Sequence, residues 1–253
     1  MMTLNNNTTG IKVEGTKVDK RKKYIMVLDV ETAGNIGKPL VYDLGFAVID
    51  KKGNIYEEKS FVISEIFDNQ KLMEGAYYSN KLPLYYEGLE NGKYQKVSFM
   101  KAREEFLKLM YKYDISTISA YNLNFDMRAL KTTMEKFNGK GMKFLTADFK
   151  DIDLLCIWSF ACEVLYSRKS FINFIDKHNY MTPKGNPLTN AEVGYQYITG
   201  NTDFEEAHMG LDDVRIEAKI LAKCIAQKKR HDSGILGSPW NIVAKYNKSV
   251  KEK

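Results

Sequence analysis

Cysteine, proline and long apolar runs are all scarce in this chain. Its three cysteines, Cys156, Cys162 and Cys224, lie in apolar helical stretches without metal-ligand spacing. An odd number of thiols placed in this way argues against a disulfide scaffold and fits a reducing cytoplasm. Five prolines and no internal repeat exclude a solenoid or a low-complexity protein. No run approaches the ~18 apolar residues of a membrane span. The opening MMTLNNNTTGIKVEG lacks the apolar segment of an export signal. A cytoplasmic protein with no membrane partner is expected.

Of the 253 residues, 44% are apolar and 12% aromatic, enough for one sizeable core. The net charge of +6 is unevenly distributed. Residues 1–23 hold six Lys/Arg against two acids, and residues 228–253 hold seven against two, which leaves residues 24–227 at −3. A basic, flexible tail is therefore expected at 1–23, a main domain at 24–227 and a basic tail at 228–253. Such tails add salt-sensitive affinity for phosphates or simply solubilise the chain.

YIMVLDV (24–30) is a nearly continuous apolar run and reads as a buried central strand. DLGFAVID (43–50) and IYEEKSFVI (55–63), joined by the turn sequence KKGN, complete an antiparallel meander. Residues 64–96 are irregular and rich in Tyr, including Tyr77, Tyr78, Tyr85, Tyr86 and Tyr94, an insertion of the kind that forms binding loops. Helical periodicity returns at 98–112 and 125–137 around a strand at 116–121. A strand at 152–156 then precedes helices at 157–166, 170–178, a segment opened by a capping box at Thr189–Glu192, and 211–227. Strands interleaved with helices after a meander indicate an α/β domain on a mixed sheet.

Carboxylates stand where folding alone would place apolar residues. Asp29 and Glu31 share one face of the first strand about 7 Å apart, and repel by roughly 2 kcal/mol at an effective dielectric near 20. Asp126 lies on the helical stripe of Leu130, Thr133, Met134 and Phe137. In the last helix Asp213 and Glu217 fall within the apolar arc, whereas Asp212 falls opposite, among Arg215, Lys219 and Lys223. His208 lies in the loop just before that helix. Four acids from three separate elements and one histidine point to one site. All-oxygen ligands select Mg²⁺ or Mn²⁺, two such ions clamp a displacement at phosphorus, and a histidine titrating near 6.5 suits proton removal from water.

These residues resemble the three motifs of the DnaQ-like (DEDDh) 3′→5′ exonucleases. VLDVETAG (27–34) carries Asp29 and Glu31, AYNLNFDMRAL (120–130) carries Asp126 after Asn122 and Phe125, and HMGLDDVRIEAKIL (208–221) carries His208 and Asp213. The sister subclass has a tyrosine where Met209 stands here. The resemblance covers residues 24–227 and implies a ribonuclease H-like fold, a mixed five-stranded sheet flanked by helices. It implies that Asp29, Glu31, Asp126 and Asp213 hold two metal ions and that His208 is the general base. Thr32, Ala33 and Gly34 would lie beside the 3′-terminal nucleotide, with Asn122 and Phe125 as further substrate contacts. Phage-encoded exonucleases are similar in the insertion, including GAYYSNKLPLYYEGLENGK.

The activity expected is 3′→5′ exonucleolysis of a nucleic acid with a free 3′ end, with short single strands preferred because the body is acidic, and single-stranded DNA the expected substrate. An exoribonuclease that trims RNA or degrades oligonucleotides is the alternative, and a replication-associated binding module without catalysis is the other. The tyrosines of 64–96 either stack terminal bases or pack the insertion. GILGSPWNIV (234–243) either contacts a replication protein or folds back on its own domain.

Overall fold

The run at 24–30 is the first part of a longer strand, β1 (Tyr24–Ala33), which pairs antiparallel with β2 (Leu40–Asp50); β2 pairs antiparallel with β3 (Ile55–Ile63). This computed structural model describes residues 18–231 and 238–251. Most of the expected N-terminal tail and the first four residues of GILGSPWNIV thus lie outside the described residues.

The insertion holds three short helices, α1 (Ser64–Phe67), α2 (Gln70–Glu74) and α3 (Leu82–Glu90), and ends in strand β4 (Gln95–Val97). Then follow α4 (Phe99–Lys112), β5 (Thr117–Ala120), α5 (Leu123–Asn138) and β6 (Asp153–Cys156). The remaining helices are α6 (Ile157–Ala161), α7 (Lys169–His178), α8 (Ala191–Thr199), α9 (Gly210–Ile225) and α10 (Trp240–Lys251). After α6 the chain continues as a π-helical turn, Cys162–Tyr166.

The sheet order is β4-β3-β2-β1-β5-β6, with β4, β5 and β6 each parallel to its neighbour. There are six strands where five were expected. The extra one is the three-residue β4 at the edge, too short to show an alternating pattern. Alternation along β1 divides the core. Met26, Leu28 and Val30 face a cluster with Phe99, Phe106, Leu130 and Met134 from α4 and α5. Val27 faces Ile157, Phe171, Val214 and Leu221 from α6, α7 and α9. Among the described residues, no helix is long and apolar enough to cross a membrane.

The start of α9 presses directly onto β2. A Cβ added at Gly45 would lie 2.3 Å from the carbonyl carbon of Gly210 and from the Leu211 nitrogen. The obstacle is backbone, so neither element can yield by rotating a side chain. Gly45→Ala is expected to cost about 1–3 kcal/mol and to lower Tm by several degrees. An unchanged Tm in thermal denaturation would contradict this contact.

The expected capping box does not form, and the cap itself lies one residue later. Asn190, not Thr189, caps α8, accepting from the Val193 N–H at 3.3 Å. The Thr189 hydroxyl instead accepts from Trp158 Nε1 at 3.0 Å, and Glu192 accepts from the Glu206 N–H at 2.8 Å. In the basic C-terminal stretch, α10 lays Val243, fully buried, against the second cluster, with Tyr246 packed beside it.

Candidate active site

The C-terminal half of β1, the first turn of α5 and the first two turns of α9 open onto one cleft of about 790 Å³. Asp29, Glu31, Asp126, His208 and Asp213 all line it, as do Thr32, Gly34, Asn122 and Phe125. Ala33 does not; its side chain is buried in the apolar core. The chain turns away after β1 at Gly34, whose φ of +85° is a conformation that suits glycine.

Each acid has a structural reason for its position. Alternation places Asp29 and Glu31 on the α9 side of the sheet. Asp126 is buried in the first turn of α5, where the helix N-terminus favours a negative charge. Asp213 reaches back so that Oδ2 accepts from the N–H of Met209, the residue before α9, at 3.1 Å. Its Oδ1 is buried without a hydrogen-bond partner, and so is Oδ2 of Asp29. Buried carboxylate oxygens in that condition are costly and uncommon.

The electrostatics follow from crowding. Burial pushes the Asp29 carboxyl well above its usual range, and the charges of Glu217, Asp126, Glu31 and Asp213 push it further. Burial, then Asp213 and Asp43, raise Glu31 to about 10. Burial raises Asp126 to about 7, against the opposing pull of its own N–H and that of Val30. Burial and Glu206 raise Asp213 to about 8, with the Met209 N–H opposing. A carboxylate cluster that resists ionisation in this way calls for cations.

His208 differs in kind. It adopts φ +53°, in the left-handed region, and its ring stacks on Tyr78 of the insertion, with centroids 4.2 Å apart and planes 12° from parallel. Burial lowers its pKa from 6.5; Lys81 adds to this and Glu192 opposes it. The imidazole is therefore neutral near pH 7 and able to accept a proton. Glu31, His208 and Asp213 each present a ligand-type atom, all within 4.8 Å of one another. The oxygen-rich donor set and the two unpartnered oxygens fit hard divalent cations.

Three solved structures share this architecture. Product-bound exonuclease I is 14% identical, with a TM-score of 0.53, over 81% of this chain and 43% of its own. Exonuclease I from Methylocaldum szegediense is 14% identical at 0.50, over 87% and 42%. E. coli exonuclease I in complex with a 5cy-dT13 oligonucleotide is 13% identical at 0.50, over 80% and 40%. The fold is ribonuclease H-like. The chain spans about two fifths of the length of these proteins, and identity this low establishes the fold alone. No family model and no curated protein matches the sequence.

Further groups belong to the site. Glu217 is buried one turn beyond Asp213 and accepts from the Tyr121 N–H at 3.2 Å. Burial and the charges of Asp126 and Asp213 raise its pKa strongly. Its place in the apolar arc of α9 was visible in the sequence. Asp43 is fully buried opposite Glu31. It accepts from the Gly210 N–H at 3.0 Å, from Tyr85 Oη at 2.6 Å and from Ser60 Oγ at 3.2 Å. Asp43 thus ties the start of α9 to β2, β3 and the insertion. Its signal was an acid inside the apolar strand VYDLGFAVID. The stack of Tyr78 on His208 had no sequence signal beyond the tyrosine richness of 64–96.

Proposed function

We propose that this protein is a metal-dependent 3′→5′ exonuclease acting on single-stranded nucleic acid, with DNA preferred. The carrying observation is the convergence of four carboxylates and a neutral histidine on one cleft in which Asp29 Oδ2 and Asp213 Oδ1 have no partner. Asp29, Glu31, Asp126 and Asp213 would hold two Mg²⁺ or Mn²⁺ ions. When bound, such ions supply an activated water and charge stabilisation at phosphorus. A ring nitrogen of His208 would accept the proton of the attacking water, and the stack on Tyr78 would hold the ring in register. Thr32 and Gly34 bound the end of the cleft at which a terminal nucleotide is held, and Asn122 and Phe125 form its wall.

The charge of the body favours a single strand, since residues 24–227 carry −3 and offer little to a duplex. No partner is proposed through the C-terminal segment, because Val243 and Tyr246 of α10 pack on the domain itself. A purely binding module is disfavoured, since every group of the site is present.

The test is a gel time course with Mg²⁺ on matched 5′-labelled substrates: single-stranded DNA, primed DNA, single-stranded RNA and a dinucleotide. Ladders shortening from the 3′ end, fastest on single-stranded DNA and absent for Asp29→Ala, are expected. Fastest cleavage of RNA or of the dinucleotide would replace DNA as the substrate. No ladder on any substrate, with binding retained, would leave the binding module.

A further inference from the structure

A second cavity of about 500 Å³ adjoins the carboxylate cleft, and the two share Trp158 and Thr189 as a common wall. Its chemistry is the reverse of its neighbour's. Trp158, Pro183, Pro187, Leu188 and Trp240 make it apolar and aromatic, the exposed Lys184 also lines it, and among the described residues no carboxylate does. Both tryptophans of the chain are here.

Each wall is fixed by the fold. Trp158 stacks near-parallel to Tyr121, at 6.5 Å and 20°, and its Nε1 donates to Thr189 Oγ1. Pro183 and Lys184 project from a tight turn closed by the Gly185 N–H to the Thr182 carbonyl at 2.8 Å and by the Met181–Pro187 bridge. Trp240 opens α10, which Val243 anchors in the core.

We propose that this groove is a subsite for upstream nucleotides of the same strand whose 3′ end lies at the carboxylates, an inference that rests on the exonuclease reading above. Continuity across Trp158 and Thr189 selects that occupant. A strand leaving the acidic cleft passes directly onto an aromatic floor with a cation at its edge, the combination that stacks bases and pairs a phosphate without reading sequence. The carboxylate cleft grips only the end of the strand, so the groove makes affinity depend on length.

The test combines steady-state kinetics in Mg²⁺ with titration of intrinsic tryptophan fluorescence in EDTA, where no strand is cut. The probes are oligodeoxynucleotides of graded length from a dinucleotide upward. In wild type, KM is expected to fall about fivefold or more once the oligomer reaches the groove, with kcat little changed and tryptophan emission quenched by the longer oligomers alone. Trp240→Ala should abolish the fall in KM, and Trp240→Phe should restore most of it. Lys184→Glu, an exposed change that leaves packing intact, should raise KM for long oligomers and leave the dinucleotide unaffected. Cleavage that ignores length, with unquenched emission, would overturn the subsite and leave the exonuclease. Retention of the length dependence by both Trp240→Ala and Lys184→Glu would also overturn it. Length-dependent quenching without cleavage of any oligomer would support the groove as a single-strand site while removing the exonuclease reading.

Discussion

His208→Ala is expected to lower 3′-end hydrolysis by about 10²–10⁴-fold, the usual contribution of a positioned general base, and to leave the fold nearly intact. The ring's one large contact is the stack on Tyr78, worth about 0.5–1.5 kcal/mol, so Tm falls by only a few degrees. Asp29→Asn is expected to abolish hydrolysis to a similar degree for a different reason. It replaces a carboxylate crowded by Glu217, Asp126, Glu31 and Asp213, so the metal-free variant should be more stable than the metal-free wild type. Thermal denaturation with and without Mg²⁺ separates the roles. His208→Ala should keep the gain in Tm from metal, and Asp29→Asn should lose most of it. Full activity in His208→Ala would remove the base from the mechanism. Loss of the metal effect in that variant would instead make His208 a ligand.

Removing divalent cations should make stability fall as pH rises. Asp126, Asp213 and Glu31 have folded pKa values raised to about 7, 8 and 10. Above about pH 4 the unfolded chain has released these protons while the metal-free fold still holds them, so the native state binds more protons and stability declines with pH. The loss begins near pH 4 and continues through pH 7 and 8 as Asp126 and Asp213 ionise in the fold. With each pKa unit worth about 1.4 kcal/mol before coupling and relaxation, Tm in EDTA is expected to drop by on the order of 10 °C between pH 5 and 8. Mg²⁺ or Mn²⁺ should recover most of that drop, and its effect should grow with pH because the metal displaces protons. A Tm independent of pH and of metal would show that these carboxylates do not share one buried site.

The sequence disclosed the elements whose periodicity is long and whose packing is regular. Strand β3 was legible residue for residue because the turn sequence KKGN marks its start, and α4 to within one residue because a 3.6-residue pattern ran its full length. The acids were legible because Asp29, Asp126 and Asp213 interrupt such patterns. The insertion was not. Helices α1 and α2 are too short to show a period, and α3 is held by long-range contact, with Tyr85 buried and bonded to Asp43. Asp43 was missed because its partners, Ser60, Tyr85 and Gly210, converge on it only after folding. The shift of the α8 cap from Thr189 to Asn190 has the same origin, since Trp158 engages the Thr189 hydroxyl first.

The site is assembled from both ends of the folded domain, and this sets when in the protein's life it exists. Asp29 precedes Asp213 by 184 residues. At ~5–20 residues per second of synthesis, roughly 10–40 s separate the emergence of the first acid from that of the last. Throughout that interval the growing chain carries β1 and its two carboxylates without α9, His208 or the contact between Gly45 and Gly210. A partial chain therefore carries the acids of β1 without the groups that complete the cleft. The full set of carboxylates comes together only when α9 docks.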